Sequence, residues 1–134
     1  MQGLKLAGRV STGRGEGAKF TELGWARQQF VRRLGIDPFP GTLNLILESQ
    51  GELQKWAGLR SSPGIQINPP DEAWCIARCY PVTILDQVSG AIVYPEVPGY
   101  PAELVEVIAA LSLRERLHLA DGALLQLEIT QPPV

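Results

Sequence analysis

The sequence predicts a mainly β protein, a closed or nearly closed barrel of short strands carrying two short helices. Three observations lead there. Apolar residues alternate with polar ones in several separate short segments, the period of a half-buried strand. Helical spacing recurs in only two places. Gly 14 and Pro 11 among 134 residues supply the many turns that short elements need.

Leu4, Leu6, Gly8 and Val10 alternate with Lys5, Ala7 and Arg9, which makes the opening segment a strand. A glycine loop follows at residues 13–17. From Thr21 the period changes: Leu23, Ala26, Phe30 and Leu34 recur at helical spacing, with Thr21 a candidate N-cap and Gly35 the stop. Pro38 and Pro40 exclude helix and impose a rigid, extended turn. Beyond it Leu43, Leu45 and Leu47 face one way and Asn44 and Ile46 the other, as in a strand. Residues 48–63 have weak periodicity and carry Gly58, Ser61, Ser62 and Pro63, so they read as a connecting segment. Strand patterns return at residues 65–67, at 74–85 with a break at Pro81, and at 91–94. Residues 103–110 suit a helix or a buried strand. The capping-box pair Ser112 and Glu115 starts a new short helix, so the preceding segment has ended, and its valines favour strand. Asp121-Gly122 signals a turn, and Leu125, Leu127 and Ile129 alternate as a closing strand.

The length suits one domain over residues 1–134, able to bury about two-thirds of its unfolded surface. Net charge is −2 and the pI about 5.4, so the chain lacks the basic field that a nucleic-acid binder needs. Arg27, Arg32 and Arg33 form the one local basic cluster, and on a helix they read as a solvated face. No charged-then-apolar leader opens the sequence, and no apolar run reaches the roughly 18 to 20 residues that span a bilayer. The expectation is a soluble, cytoplasmic protein. Cys75 and Cys79 lie four apart in an extended segment, roughly 13 Å, too far for a disulfide. With His118 the only histidine, no Cys/His zinc set can form. The thiols read as small buried apolar groups, and His118 as an exposed or structural residue of the short helix.

Two short segments carry the chemistry. In Gly13-Arg14-Gly15-Glu16-Gly17, glycines at alternate positions remove the Cβ atoms that would keep a polyphosphate from the backbone. Successive N–H groups can then converge on phosphate oxygens. Neither the GK[ST] ending nor the GxGxxG spacing is present. Taken alone, such a loop is more often a tight turn between strand and helix. Glu16 would repel phosphate if it pointed inward, so it turns outward or meets a sugar or base. About one helix later, Pro38-Phe39-Pro40-Gly41-Thr42-Leu43-Asn44 puts the Thr42 hydroxyl and the Asn44 amide on one strand face. These are hard, neutral oxygen ligands suited to Mg²⁺, which takes most of its negative charge from substrate phosphates. Alone, the pair would more simply hydrogen-bond the proline turn.

In this order, the residues resemble the archaeal CTP-dependent riboflavin kinases. The resemblance rests on Gly8-x-Val10-x-Thr12-Gly13-x-Gly15-Glu16-Gly17, on Phe20, and on Leu34-Gly35-x-x-Pro38-Phe39-Pro40-Gly41-Thr42-Leu43-Asn44-Leu45. It continues in Val105-Glu106-Val107-Ile108-Ala109 and Leu113-Arg114-Glu115-x-Leu117-x-Leu119-x-Asp121-Gly122, and is loosest over residues 48–90. It implies a six-stranded cradle-loop barrel that transfers the γ-phosphate of CTP to riboflavin, giving FMN and CDP. By motif position, Gly13, Arg14, Gly15, Glu16, Gly17 and Ala18 hold the nucleotide, and Leu111, Ser112, Leu113 and Arg114 close over it. Thr42 and Asn44 ligate Mg²⁺. Glu106 meets the flavin's ribityl end, with Pro98 and Tyr100 on the flavin side.

Phosphoryl transfer depends mostly on positioning and charge neutralisation, so no nucleophilic side chain is required. Glu106 is the candidate to orient or deprotonate the acceptor hydroxyl. The alternative is a half-buried carboxylate paired with an arginine such as Arg114. Two positions depart from the family pattern. Pro98 stands where the family has a flavin-contacting threonine, removing a hydroxyl and an N–H, and Asp121-Gly122-Ala123 replaces an Asp-Gly-Asp turn. A nucleotide- or flavin-binding module of the same barrel, with phosphorylation weakened, is therefore a second reading. A β-barrel DNA-binding regulator is a third, opposed by the acidic pI.

Overall fold

The computed structural model describes residues 4–13 and 15–130. Along them run β1 (Lys5–Ser11), α1 (Glu16–Phe20), α2 (Gly24–Leu34), β2 (Leu43–Ile46), α3 (Gln50–Arg60), β3 (Ile65–Ile67), β4 (Ala77–Ile84), β5 (Val88–Pro95), β6 (Leu104–Ala109), α4 (Leu113–Arg116) and β7 (Leu124–Ile129). The strand order is β3-β4-β5-β6-β2-β1-β7, and β7 returns to β4. Six antiparallel strands thus close into the expected barrel, with β3 added along β4.

Strand β4 serves two partners on one edge, β3 along residues 77–79 and β7 along residues 82–84. Pro81 falls between them. Its carbonyl accepts from Thr130 N at 3.0 Å, so its missing N–H faces the gap where β4 changes partner. The expected break at Pro81 is therefore absent, and β4 pairs with β5 from Ala77 to Ile84.

Alternation assigns each strand residue to a face. Val105 and Val107 of β6 enter the inner core with Leu6, Leu45, Ile92 and Leu127, while Ile108 joins an outer cluster. That outer cluster forms where Phe20 of α1 and Ala26 and Phe30 of α2 cover β4, β5 and β6. Glu106, in step with Ile108, therefore lies on the outer face beneath α1. Every residue of β6 is buried, which explains why its apolar run fitted a helix as well as a strand.

Four helices are present among the described residues, not two. Residues 16–20, expected within a loop, already form α1. Thr21 caps the end of α1 rather than the start of α2, which begins after Leu23 without a side-chain cap. Gly35 does stop α2, in the left-handed conformation at φ 71°. The expected connection at residues 48–63 holds α3. Its buried face is narrow, Trp56 and Leu59 with Leu53 beside them, and Gly51 and Gly58 weaken its helical signal. Ser49 nevertheless caps its start, Oγ accepting from Glu52 N at 3.2 Å, while the Glu52 carboxylate turns away to Ala7 N and Lys55.

The later elements fall where expected. Ser112 caps α4, its hydroxyl accepting from Glu115 N at 3.4 Å. His118 is exposed just beyond α4, at φ 53°. Both cysteines are free, and full burial pushes the Cys79 thiol far up from its ordinary pKa. Arg27 pairs with Asp37 at 2.9 Å, and Arg27, Arg32 and Arg33 all face solvent. Among the described residues, no helix is long and apolar enough to cross a membrane.

Candidate functional site

The pairing of β2 with β6 sets Asn44 directly across from Glu106. Thr42, two residues before Asn44, faces the same way, as the strand period requires. Its hydroxyl lies 2.7 Å from Asn44 Oδ1 and 3.1 Å from Glu106 Oε1. Asn44 Nδ2 donates to the carbonyl of Gly13 at 3.0 Å, which turns the amide oxygen toward Thr42 and ties β2 to the glycine loop. A second tie comes from Thr21. Its hydroxyl donates to the Ala18 carbonyl at 2.7 Å and accepts from Gly41 N at 2.8 Å, joining the end of α1 to the proline turn. Sequence reasoning treated Thr21 as a helix cap and missed this bridge.

Glu106 is fully buried and makes no ion pair among the described residues. The pairing with Arg114 considered from sequence does not form; Arg114 Nη2 binds Asp121 Oδ1 at 2.6 Å instead. Glycines form the lid over the carboxylate. The N–H of Gly17, in the first turn of α1 and so without an intrahelical partner, donates to Glu106 Oε2 at 2.8 Å. A Cβ on Gly17 would lie 2.7 Å from Oε2, and one on Gly15 would overlap Oε1. Gly15 has extended backbone at φ −94°. The demand for glycine there is thus close approach to a carboxylate and not a left-handed conformation.

On the opposite side, the Tyr100 hydroxyl donates to Glu106 Oε2 at 2.5 Å. Burial first, and then the charge of Glu106, push the phenol far above its ordinary pKa, so it stays protonated. Pro98 lies exposed on the turn leading to Tyr100.

Two clefts meet at Pro40, Gly41 and Thr42. One, of about 430 Å³, is lined by Gly13, Gly15, Glu16, Ala18, Lys19 and Glu22. The other, of about 180 Å³, is lined by Phe39, Leu43, Val107 and Ala109 together with Leu111, Ser112, Leu113 and Arg114. The structure therefore brings both halves of the expected nucleotide set to the same turn, one on each side. Arg14 lies outside the described residues. Glu16 forms an ion pair with Lys19 at 3.1 Å rather than pointing bare into the cleft. Thr12 joins Arg114 and Asp121: its hydroxyl lies 2.6 Å from Asp121 Oδ2 and 3.2 Å from Arg114 Nη2. The Thr12 hydroxyl and then Arg114 hold the Asp121 carboxyl below its usual pKa. The Asp121-Gly122 turn was legible in the sequence, but its link to Arg114 was not.

The oxygens of Thr42 and Asn44 fit a small hard cation. Adjacent ligands of an octahedral ion at about 2.0–2.1 Å stand roughly 2.9 Å apart, and these two oxygens are 2.7 Å apart. No cluster of three His, Cys, Asp or Glu occurs among the described residues. The pair itself is neutral; the Glu106 carboxylate lies 3.1 Å from Thr42 Oγ1, and bound phosphate would supply the rest of the charge that balances a cation there.

Comparison with known proteins places this geometry in a family. Residues 10–129 match the CTP-dep_RFKase family, described as a domain of unknown function, DUF120. A riboflavin kinase of Methanosarcina barkeri is 38% identical over 123 residues, covering 89% of this chain and 53% of the relative. A riboflavin kinase of Pyrobaculum calidifontis is 38% identical over 129 residues, 94% of this chain and 60% of the relative. One from Saccharolobus solfataricus is 30% identical over 132 residues, 96% of this chain and 75% of the relative. The chain spans about half the length of the Methanosarcina relatives it matches. With nearly its whole length matched, the chain belongs to the family of archaeal-type CTP-dependent riboflavin kinases.

Proposed function

We propose that this protein phosphorylates riboflavin with CTP as donor. The carrying observation is the convergence of Thr42 Oγ1, Asn44 Oδ1 and Glu106 on one spot beneath the glycine loop. The relatives named riboflavin kinases support the acceptor, and the family resemblance supports the donor.

Thr42 and Asn44 are the residues to hold Mg²⁺, which supplies charge neutralisation on the donor phosphates when bound. The loop from Gly13 to Ala18 holds the diphosphate through backbone N–H groups, and Leu111 to Arg114 hold the rest of the nucleotide. The 5′-hydroxyl oxygen of riboflavin bonds to the γ-phosphorus as the bond to the bridging oxygen breaks, leaving its electron pair on CDP. The hydroxyl proton passes to Glu106 Oε1, giving FMN, CDP and a proton released later to solvent. Glu106 is sealed by Gly15, Gly17, Thr42 and Tyr100, so the acceptor reaches Oε1 only when the segment at Gly15 lifts.

Pro98 removes the hydroxyl that the family places against the flavin, so turnover is slowed and not abolished. The test is incubation with riboflavin, Mg²⁺ and each of the four nucleoside triphosphates, assaying FMN. FMN formed fastest with CTP is the expected result. Faster turnover with ATP would overturn the donor assignment, and no FMN with any donor would leave a binding module.

A further inference from the structure

The two oxygens of Glu106 are unequally occupied. Oε2 receives the Gly17 N–H at 2.8 Å and the Tyr100 hydroxyl at 2.5 Å. Oε1 has the Thr42 hydroxyl at 3.1 Å, and that single proton has a nearer acceptor in Asn44 Oδ1 at 2.7 Å. Oε2 thus has two donors of its own, while Oε1, covered by Gly15 and Thr42, has no donor without a nearer acceptor.

Tyr100 is held for this contact from both directions. Along the chain, Pro98 fixes its own φ near −65°, and Gly99 follows at φ 79°. Tyr100 N donates to the Val97 carbonyl at 3.3 Å, closing a type II turn with proline and glycine in their preferred places. Across the fold, the Tyr100 ring meets Tyr94 edge-on, with centroids 5.4 Å apart. The guanidinium groups of Arg78 and Arg60 lie 5.2 and 5.5 Å from the Tyr94 ring. Arg78 is itself fixed by the carbonyls of Arg60 and Ser62, at 2.6 and 2.9 Å.

We propose that Tyr100 is a positioning residue for phosphoryl transfer, holding Oε2 of Glu106 so that Oε1 is the atom presented to the acceptor hydroxyl. This role rests on the kinase reading and assigns Tyr100 to the carboxylate rather than to the flavin. It also gives Pro98 a purpose: the residue that costs a flavin contact stiffens the turn delivering Tyr100.

Tyr100→Phe keeps the ring and its packing on Tyr94 and removes only the hydroxyl. The expected result is a fall in kcat of about tenfold to a hundredfold, with KM for riboflavin and CTP within about twofold and an unchanged fold by circular dichroism. A raised KM for riboflavin with kcat unchanged would make Tyr100 a flavin contact and overturn the proposal, as would unchanged kinetics. A readout without turnover separates this from the kinase reading. In the ligand-free protein, the short bond to Glu106 should give a hydroxyl proton resonance far downfield that Tyr100→Phe abolishes. Its absence from the wild type overturns the proposed contact even if FMN is made. No FMN from the wild type sinks the kinase reading, and this role with it, while the resonance still reports the bond.

Discussion

Gly15 lies against the Glu106 carboxylate so closely that a methyl group on its Cα would overlap Oε1. A glycine loop read for phosphate binding is also the cover of a buried acid. The two uses are compatible, because both require a backbone stripped of side chains.

The first prediction follows from that contact. Gly15→Ala should cost about 1–3 kcal/mol of stability, the usual penalty of overpacking. Gly24→Ala, with open space around its Cα in α2, should be neutral or up to about 1 kcal/mol stabilising. Chemical denaturation measures both. Adding Glu106→Ala to Gly15→Ala should recover part of the loss; strict additivity would mean the two do not touch.

The metal prediction concerns Thr42. Thr42→Val keeps the shape and removes one oxygen, so the Mg²⁺-dependent part of CTP affinity should fall at least tenfold, about 1.4 kcal/mol. The Mg²⁺-free part should be nearly intact. Calorimetry with and without Mg²⁺ separates the two, and equal losses would make Thr42 a structural residue only.

Asp121 gives a pH dependence of known sign. Its folded pKa is depressed by Thr12 and Arg114, so its contribution to stability is present above the unfolded value of about 3.9. That contribution is lost as pH falls through the folded value. The difference in Tm between wild type and Asp121→Asn should therefore persist at pH 6, shrink below about pH 4 and vanish only below the depressed folded value. A difference that grows with acidity would contradict the assignment.

Pro98→Thr restores the family hydroxyl while loosening the turn before Tyr100. Riboflavin kinase turnover should rise by about tenfold, given roughly 1–3 kcal/mol for such a hydrogen bond. Thermal stability should drop slightly, since proline limits the unfolded chain by about 0.4–1 kcal/mol. If turnover falls, the stiffness of the turn matters more than the missing hydroxyl.

How much of this was legible in the sequence depended on the range of the interactions. The strands at Leu43 and Leu125 and the Thr42/Asn44 face follow from alternation, which is local. Helix α3 escaped because its apolar stripe is thin and two glycines interrupt it, although Ser49 and Glu52 signalled its start. Strand β4 runs past Pro81 because a partner exchange, set by residues some fifty positions away in β7, absorbs the missing donor. The site showed the same division. The family resemblance named Glu106, but nothing local said that it would be buried, unpaired with arginine and gripped by Tyr100 and Gly17.

Transfer of label from γ-labelled CTP tests the central claim most directly. With riboflavin and Mg²⁺, the wild type should move the label to FMN, and Glu106→Gln should bind CTP equally well while moving at least a hundredfold less. Undiminished transfer by Glu106→Gln, or tight CTP binding by the wild type with no labelled FMN, would contradict the account.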